Sequence, residues 1–106
     1  MRIVVLFNLK PGTDVAAYEE WARTRDLPGV RSLVSISDFQ IYRAKGLLGS
    51  DGKPPFEFIE IIDVADMEGF GRDVSSEAMK KVAGEFQTYA DNPQFILTEV
   101  LSEIRL

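Results

Sequence analysis

Residues Ile3-Val4-Val5-Leu6-Phe7 are branched or aromatic at every position, which fits a β-strand buried on both of its faces. A later segment, Phe56 to Val64, repeats the pattern, with Phe56, Phe58 and Ile62 on one parity and Ile59 and Ile61 on the other. A sheet containing both segments needs cover on each side. The helical segments identified below suffice for one side only, and a bare second face would expose an apolar patch that soluble monomers rarely tolerate. A second copy packed sheet against sheet resolves this, so a homodimer is expected.

Between the strands the breakers are easily located. Pro11-Gly12-Thr13-Asp14 ends the first strand and offers Thr13 or Asp14 as the N-cap of a helix over about Val15 to Arg25. In that helix Tyr18, Trp21, Ala22 and Arg25 share the core side, while Glu19 and Arg23 form a solvated pair. Pro28 is expected to end it by pushing Leu27 out of the helical region. A second strand fits Val34 to Ala44. Gly46 to Pro55 is rich in breakers and reads as a mobile connection to the third strand. Asp66 to Gly71 suits a short helical turn, and Ser75 or Ser76 caps a longer helix ending near Ala90, striped by Met79, Val82, Ala83 and Phe86. Asp91-Asn92-Pro93 then stops the helix, and Gln94 to Arg105 alternates as a last strand. This order is α+β, the ferredoxin-like split βαβ: a four-stranded antiparallel sheet with two helices on one face. At 106 residues, 1–106 is expected to be one domain.

The chain has no cysteine and no histidine, which excludes disulfides, Cys/His zinc sites, thiol nucleophiles and Ser-His-Asp triads within it. With 12 Lys+Arg against 17 Asp+Glu, net −5, and no basic run, nucleic acid and anionic membranes are poor partners. The apolar run before Lys10-Pro11 is too short for a signal peptide or a membrane span, so a cytoplasmic location is expected. Gly69-Phe70-Gly71 starts a dinucleotide motif but meets Val74 where glycine is required, and Gly52-Lys53 lacks the rest of a phosphate loop. No spacing demands a metal, and no cofactor is expected.

What remains is a set of polar residues on strands. Parity points Asn8, Asp38, Gln40 and Tyr42 away from the helices, and places Glu60 and Glu99 on the same face. Aromatic and aliphatic walls with a few carboxylate, amide and phenol groups are the composition of a small-molecule pocket. Glu60 between Phe58 and Ile62 would be poorly solvated, with a raised pKa suited to acid–base work. Ordinary roles compete for each residue: Glu60 paired with an arginine, Tyr42 and Trp21 as packing aromatics, Asp26 and Asn8 as turn acceptors.

Tyr18-Glu19-Glu20-Trp21-Ala22-Arg23-Thr24-Arg25-Asp26-Leu27-Pro28-Gly29-Val30-Arg31-Ser32-Leu33 resembles the first helix and following turn of the RedY/HapK-like proteins. Phe58 to Val64, Met79, Phe86 and Ala90-Asp91-Asn92-Pro93-Gln94-Phe95 extend the resemblance over nearly the whole chain. It implies a member of the dimeric α/β-barrel superfamily, a homodimer whose two sheets form the barrel, with a pocket between sheet and helices in each protomer. It also implies a role in pigment or antibiotic biosynthesis of the prodigiosin or bisindole type, on pyrrole- or indole-derived intermediates. Superfamily members that use a catalytic histidine have no counterpart here. By position in the matched segments, the resemblance carries over Trp21, Asp26 and Glu60.

Taken together, the expectation is a small cofactor-free enzyme guiding cyclisation, dehydration or condensation of an aromatic or heteroaromatic intermediate. Glu60, Asp26 and Tyr42 are the catalytic candidates, and Asn8, Trp21, Gln40 and Phe58 the substrate-binding ones. A non-catalytic protein that sequesters the intermediate and a cofactor-independent monooxygenase are the alternatives.

Overall fold

The computed structural model describes residues 1–102. Strand β1 (Arg2–Leu9) lies inside the sheet, paired antiparallel with β3 (Phe58–Val64) on one side and β4 (Ala90–Leu97) on the other. Strand β2 (Ile36–Arg43) pairs antiparallel with β3, giving the order β2-β3-β1-β4. The α+β ferredoxin-like expectation is met, with β1 central as its two-sided apolar pattern requires.

Alternation along β1 is regular: Ile3, Val5, Phe7 and Leu9 are buried, while Val4, Leu6 and Asn8 are half-buried. The buried parity meets the helices. Phe7 stacks on Phe58 with centroids 5.6 Å apart and takes Phe86 edge-on at 5.0 Å; Tyr18 meets Phe58 edge-on at 4.9 Å. Four side chains, Val5, Phe7, Tyr18 and Phe39, are completely enclosed.

The first helical arm departs from expectation at the proline. Helix α1 (Val15–Trp21) starts at Asp14, whose carboxylate accepts from the Ala16 and Ala17 amides at 3.0 and 3.4 Å. It then runs without interruption through a π-helical turn, Ala22–Asp26, into α2 (Leu27–Arg31). Leu27 keeps helical angles (φ −56°, ψ −54°) and donates to the Ala22 carbonyl five residues back. The widened turn accommodates Pro28, which has no amide hydrogen to give, so the chain passes the proline as a bulge rather than a break. Pro28 occupies the first turn of α2, where its missing donor costs nothing.

Elsewhere the boundaries move. Helix α3 (Met67–Val74) is longer than the expected turn, and α4 (Glu77–Tyr89) is capped by Ser76, whose hydroxyl accepts from the Met79 amide. The Gly69-Phe70-Gly71 stretch lies within α3, where a Cβ on Gly69 would fall 2.5 Å from an Asp66 carboxylate oxygen. The stretch is helical rather than a loop, so it does not form the glycine turn of a dinucleotide motif. Strand β4 begins at Ala90, because Asp91-Asn92-Pro93 enters the sheet instead of preceding it. The ladder shifts register between Leu6 and Asn8, and Asn92 takes φ +47°, so Pro93 is carried at an irregular point of an edge strand. The strand ends at Leu97, so Glu99 is not a sheet residue; Arg105, the expected end, lies outside the described residues.

Candidate active site

The π-helical turn decides which side chain of the first helical arm enters the core. On a regular helix Arg25 would follow Tyr18 and Trp21 inward. The extra residue per turn brings Asp26 inward instead, leaving it 5% exposed, and rotates Arg25 outward. Arg25 there forms a forked bridge to Glu85 at 2.9–3.1 Å, and the same carboxylate accepts from Trp21 Nε1 at 2.8 Å. The Trp21 bond and the Arg25 charge hold Glu85 below the usual carboxylate range.

Opposite Asp26, the sheet supplies Glu60. It is paired across the ladder with Val5 and Ile41, and residues directly opposite on neighbouring strands share a face. Val5 is fully enclosed under the helices, so Glu60 points to the helix side and is 4% exposed. This corrects the expected constellation, because Asn8, Gln40 and Tyr42 lie on the other face, in rows with Leu6, Ile59, Val4 and Ile61. Strand β3 is apolar on both parities, so its alternation does not show which side Glu60 takes.

Asp26 and Glu60 line one cavity of about 140 Å³, whose other walls are Val30, Phe39, Ile62, Val74, Met79, Val82, Ala83, Phe86 and Phe95. No basic side chain among the described residues bridges to either carboxylate, and Glu60 Oε2 has no hydrogen-bond partner. Burial pushes Glu60 well above the ordinary carboxylate range, and the neighbouring Asp26 charge raises it further. Burial likewise pushes Asp26 up, to about 7. Two carboxyls buried among apolar side chains cannot both ionise at low cost, so near neutral pH the pair retains a proton.

Tyr18 completes the group. Its hydroxyl is enclosed and without a partner, and burial, followed by the charges of Glu60 and Asp26, raises its pKa. It borders a second, larger cavity of about 320 Å³, lined also by Phe58, Ile41, Leu27 and Ala22, with Glu19, Arg23, Arg43 and Lys45. The two carboxyls thus line one cavity and Tyr18 the other, on the helix side of the sheet. Tyr18 is legible in the sequence as a buried helix residue, but its position on the apolar stripe conceals the unpaired hydroxyl.

The remaining candidates are placed as follows. Phe58 walls the larger cavity. Trp21 packs among Tyr18, Phe86 and Tyr89 and lines neither cavity. Asn8 uses its amide to pin the β2–β3 connection, donating to Pro55 O at 3.2 Å and accepting from Glu57 N at 2.9 Å. Gln40 accepts from Arg31, and Tyr42 is half-exposed on the open face. Among the described residues no group of three or more Asp or Glu side chains is gathered to hold a metal ion, and no helix is long and apolar enough to cross a membrane.

Comparison with known proteins bears on this arrangement. The family model of the REDY-like protein HapK matches residues 1–101. The chain belongs to the HapK family. The crystal structure of HapK from Hahella chejuensis superposes with a TM-score of 0.71 at 20% identity, covering 100% of this chain and 98% of that one. A dimeric ferredoxin-like protein from Thermobifida fusca gives 0.68 at 14% identity, covering 90% and 85%. SnoaB of Streptomyces nogalater, described as a cofactor-independent oxygenase, gives 0.67 at 13% identity, covering 96% of each chain. At such identities these likenesses establish the shared fold. Against the curated proteins the sequence finds no match.

Proposed function

We propose that this HapK-family protein is a small biosynthetic enzyme that moves protons on a pyrrole- or indole-derived intermediate, driving its cyclisation, dehydration or condensation. The observation that carries this reading is the pair of buried, unbridged carboxyls, Asp26 and Glu60, in the wall of one cavity. A structural ion pair would have an arginine or lysine; this pair has none, and its raised pKa values place a proton donor and an acceptor together near neutral pH.

In a dehydration, the protonated carboxyl gives its proton to a departing hydroxyl, which leaves as water with the electrons of the C–O bond. The ionised partner takes a proton from the adjacent carbon or nitrogen, whose electron pair becomes the new double bond. The pair ends with one proton, as it began. Tyr18, whose hydroxyl feels the charge of both acids, donates a hydrogen bond to a substrate carbonyl or hydroxyl at the larger cavity, to whose apolar wall Phe58 contributes. The relation to HapK supports a place in secondary metabolism. On this reading 1–106 is a single barrel-forming domain. A second copy covers the open sheet face, as the dimeric neighbour from Thermobifida fusca suggests.

The test is incubation with a panel of pyrrole and indole aldehydes and ketones, following products by mass spectrometry alongside an oxygen electrode. The proposal expects loss of water or isomerisation without oxygen uptake, abolished in Glu60→Gln. Oxygen consumed in step with substrate would replace it by an oxygenase reading, the activity described for SnoaB. Ligand retained unchanged, with the same retention in Glu60→Gln, would make the protein a carrier.

A further inference from the structure

The larger cavity has a charge character that the proton chemistry does not require. Its floor is apolar, formed by Phe58 and Ile41, yet its rim carries Arg23, Arg43 and Lys45 against one carboxylate, Glu19. That excess of two positive charges occurs in a chain of net −5. Glu19 is shared, bridging Arg43 at 3.1 Å and Arg23 at 3.6 Å, and no carboxylate among the described residues bridges Lys45. Arg43 and Phe58 also border a neighbouring hollow of about 290 Å³ that adds Lys53 and Glu57, so the charge excess belongs to the larger cavity's own rim.

An aromatic floor, a buried phenol at the inner end and a cationic rim with one carboxylate to three cations match a ligand with a flat apolar body and an anionic end. We infer that the substrate is an aromatic carboxylate, its ring on Phe58 and Ile41 and its carboxylate at Arg43 and Lys45, displacing Glu19 from Arg43. This rests on the proton-transfer reading for the kind of ligand: with the anion at the rim, the ring system extends inward to Tyr18. Guanidinium groups favour a planar carboxylate through two parallel N–H donors, which Arg43 offers once Glu19 is released.

The test is isothermal titration of the full chain at low ionic strength and neutral pH with indole-3-carboxylate and its neutral isostere, indole-3-carboxamide. The carboxylate is expected to bind about fivefold more tightly, as rim-exposed charge pairs allow. Arg43→Gln and Lys45→Gln each reduce that preference, whereas Glu19→Gln increases it by freeing both arginines. Arg2→Gln, on the far side of the sheet, leaves it unchanged and controls for net charge. Equal binding of acid and amide, or a preference indifferent to Arg43, Lys45 and Glu19, overturns the anion site and leaves the acid pair standing. Failure of both compounds to bind overturns the anion site alone, since the acid pair lines the other cavity and is tested by its own titration.

Discussion

Replacing Asp26 by asparagine should make this protein more stable at alkaline pH and no more stable in acid. Folding raises the Asp26 pKa from an ordinary 3.8 to about 7 through burial. Between those values the native chain holds a proton that the unfolded chain releases, so stability is full below the unfolded pKa and falls as pH rises through the folded one. With each pH unit worth about 1.4 kcal/mol, ionising Asp26 in the folded chain costs about 4 kcal/mol through burial. The asparagine of Asp26→Asn never ionises, but its amide leaves a buried donor poorly paired at a cost of about 1–3 kcal/mol. The variant should therefore be less stable than the parent by about 1–2 kcal/mol near pH 4 and more stable by about 2 kcal/mol near pH 8, where the relieved ionisation outweighs the unpaired amide. Urea denaturation at fixed protein concentration across this range measures both signs. A parent whose stability is flat or rising between those limits, with a variant uniformly weaker, would refute the buried-proton account.

Three other substitutions probe separate parts of the structure. Tyr18→Phe removes an enclosed, unpartnered hydroxyl and should raise thermal stability by about 1 kcal/mol while impairing turnover of any substrate found, the reverse of an ordinary packing defect. Gly84 is exposed in the middle of α4, and a methyl group added to it would meet nothing within 4 Å, so Gly84→Ala should stabilise the chain by about 0.5–1 kcal/mol in a denaturant titration. Ile61→Asp, on the open sheet face, should convert a two-chain sedimenting species into single chains without unfolding them; an unchanged species would remove that face from the dimer contact.

The fold is readable from the sequence because the chain's strongest signals are local. Two-sided apolar runs, the Asp14 cap and the α4 stripe each report an element regardless of the others. What escapes the sequence depends on relations between elements. The side taken by Glu60 is set by its pairing with Val5, since Phe58–Val64 shows apolar residues on both parities. The inward turn of Asp26 comes from one extra residue in a helical turn, which periodicity of 3.6 cannot register and which moves Arg25 outward instead. Pro93 within β4 is hidden in the same way, since only the register shift against β1 makes room for it. Asp26 and Glu60 are recognisable as chemistry-bearing residues from family resemblance and apolar context, but Tyr42, Asn8 and Gln40 group with Glu60 only by a parity that β3 does not define.

Everything proposed for the site depends on Asp26 and Glu60 together keeping a proton through neutral pH inside one cavity. Carbon-13 NMR of the side-chain carboxyls, titrated in the parent, Asp26→Asn and Glu60→Gln, tests this most directly. The expected result is that the two resonances move together, that one carboxyl remains protonated through neutral pH, and that each substitution shifts the survivor's titration to lower pH. Two independent titrations in the ordinary carboxylate range, unaffected by the partner's replacement, would contradict it.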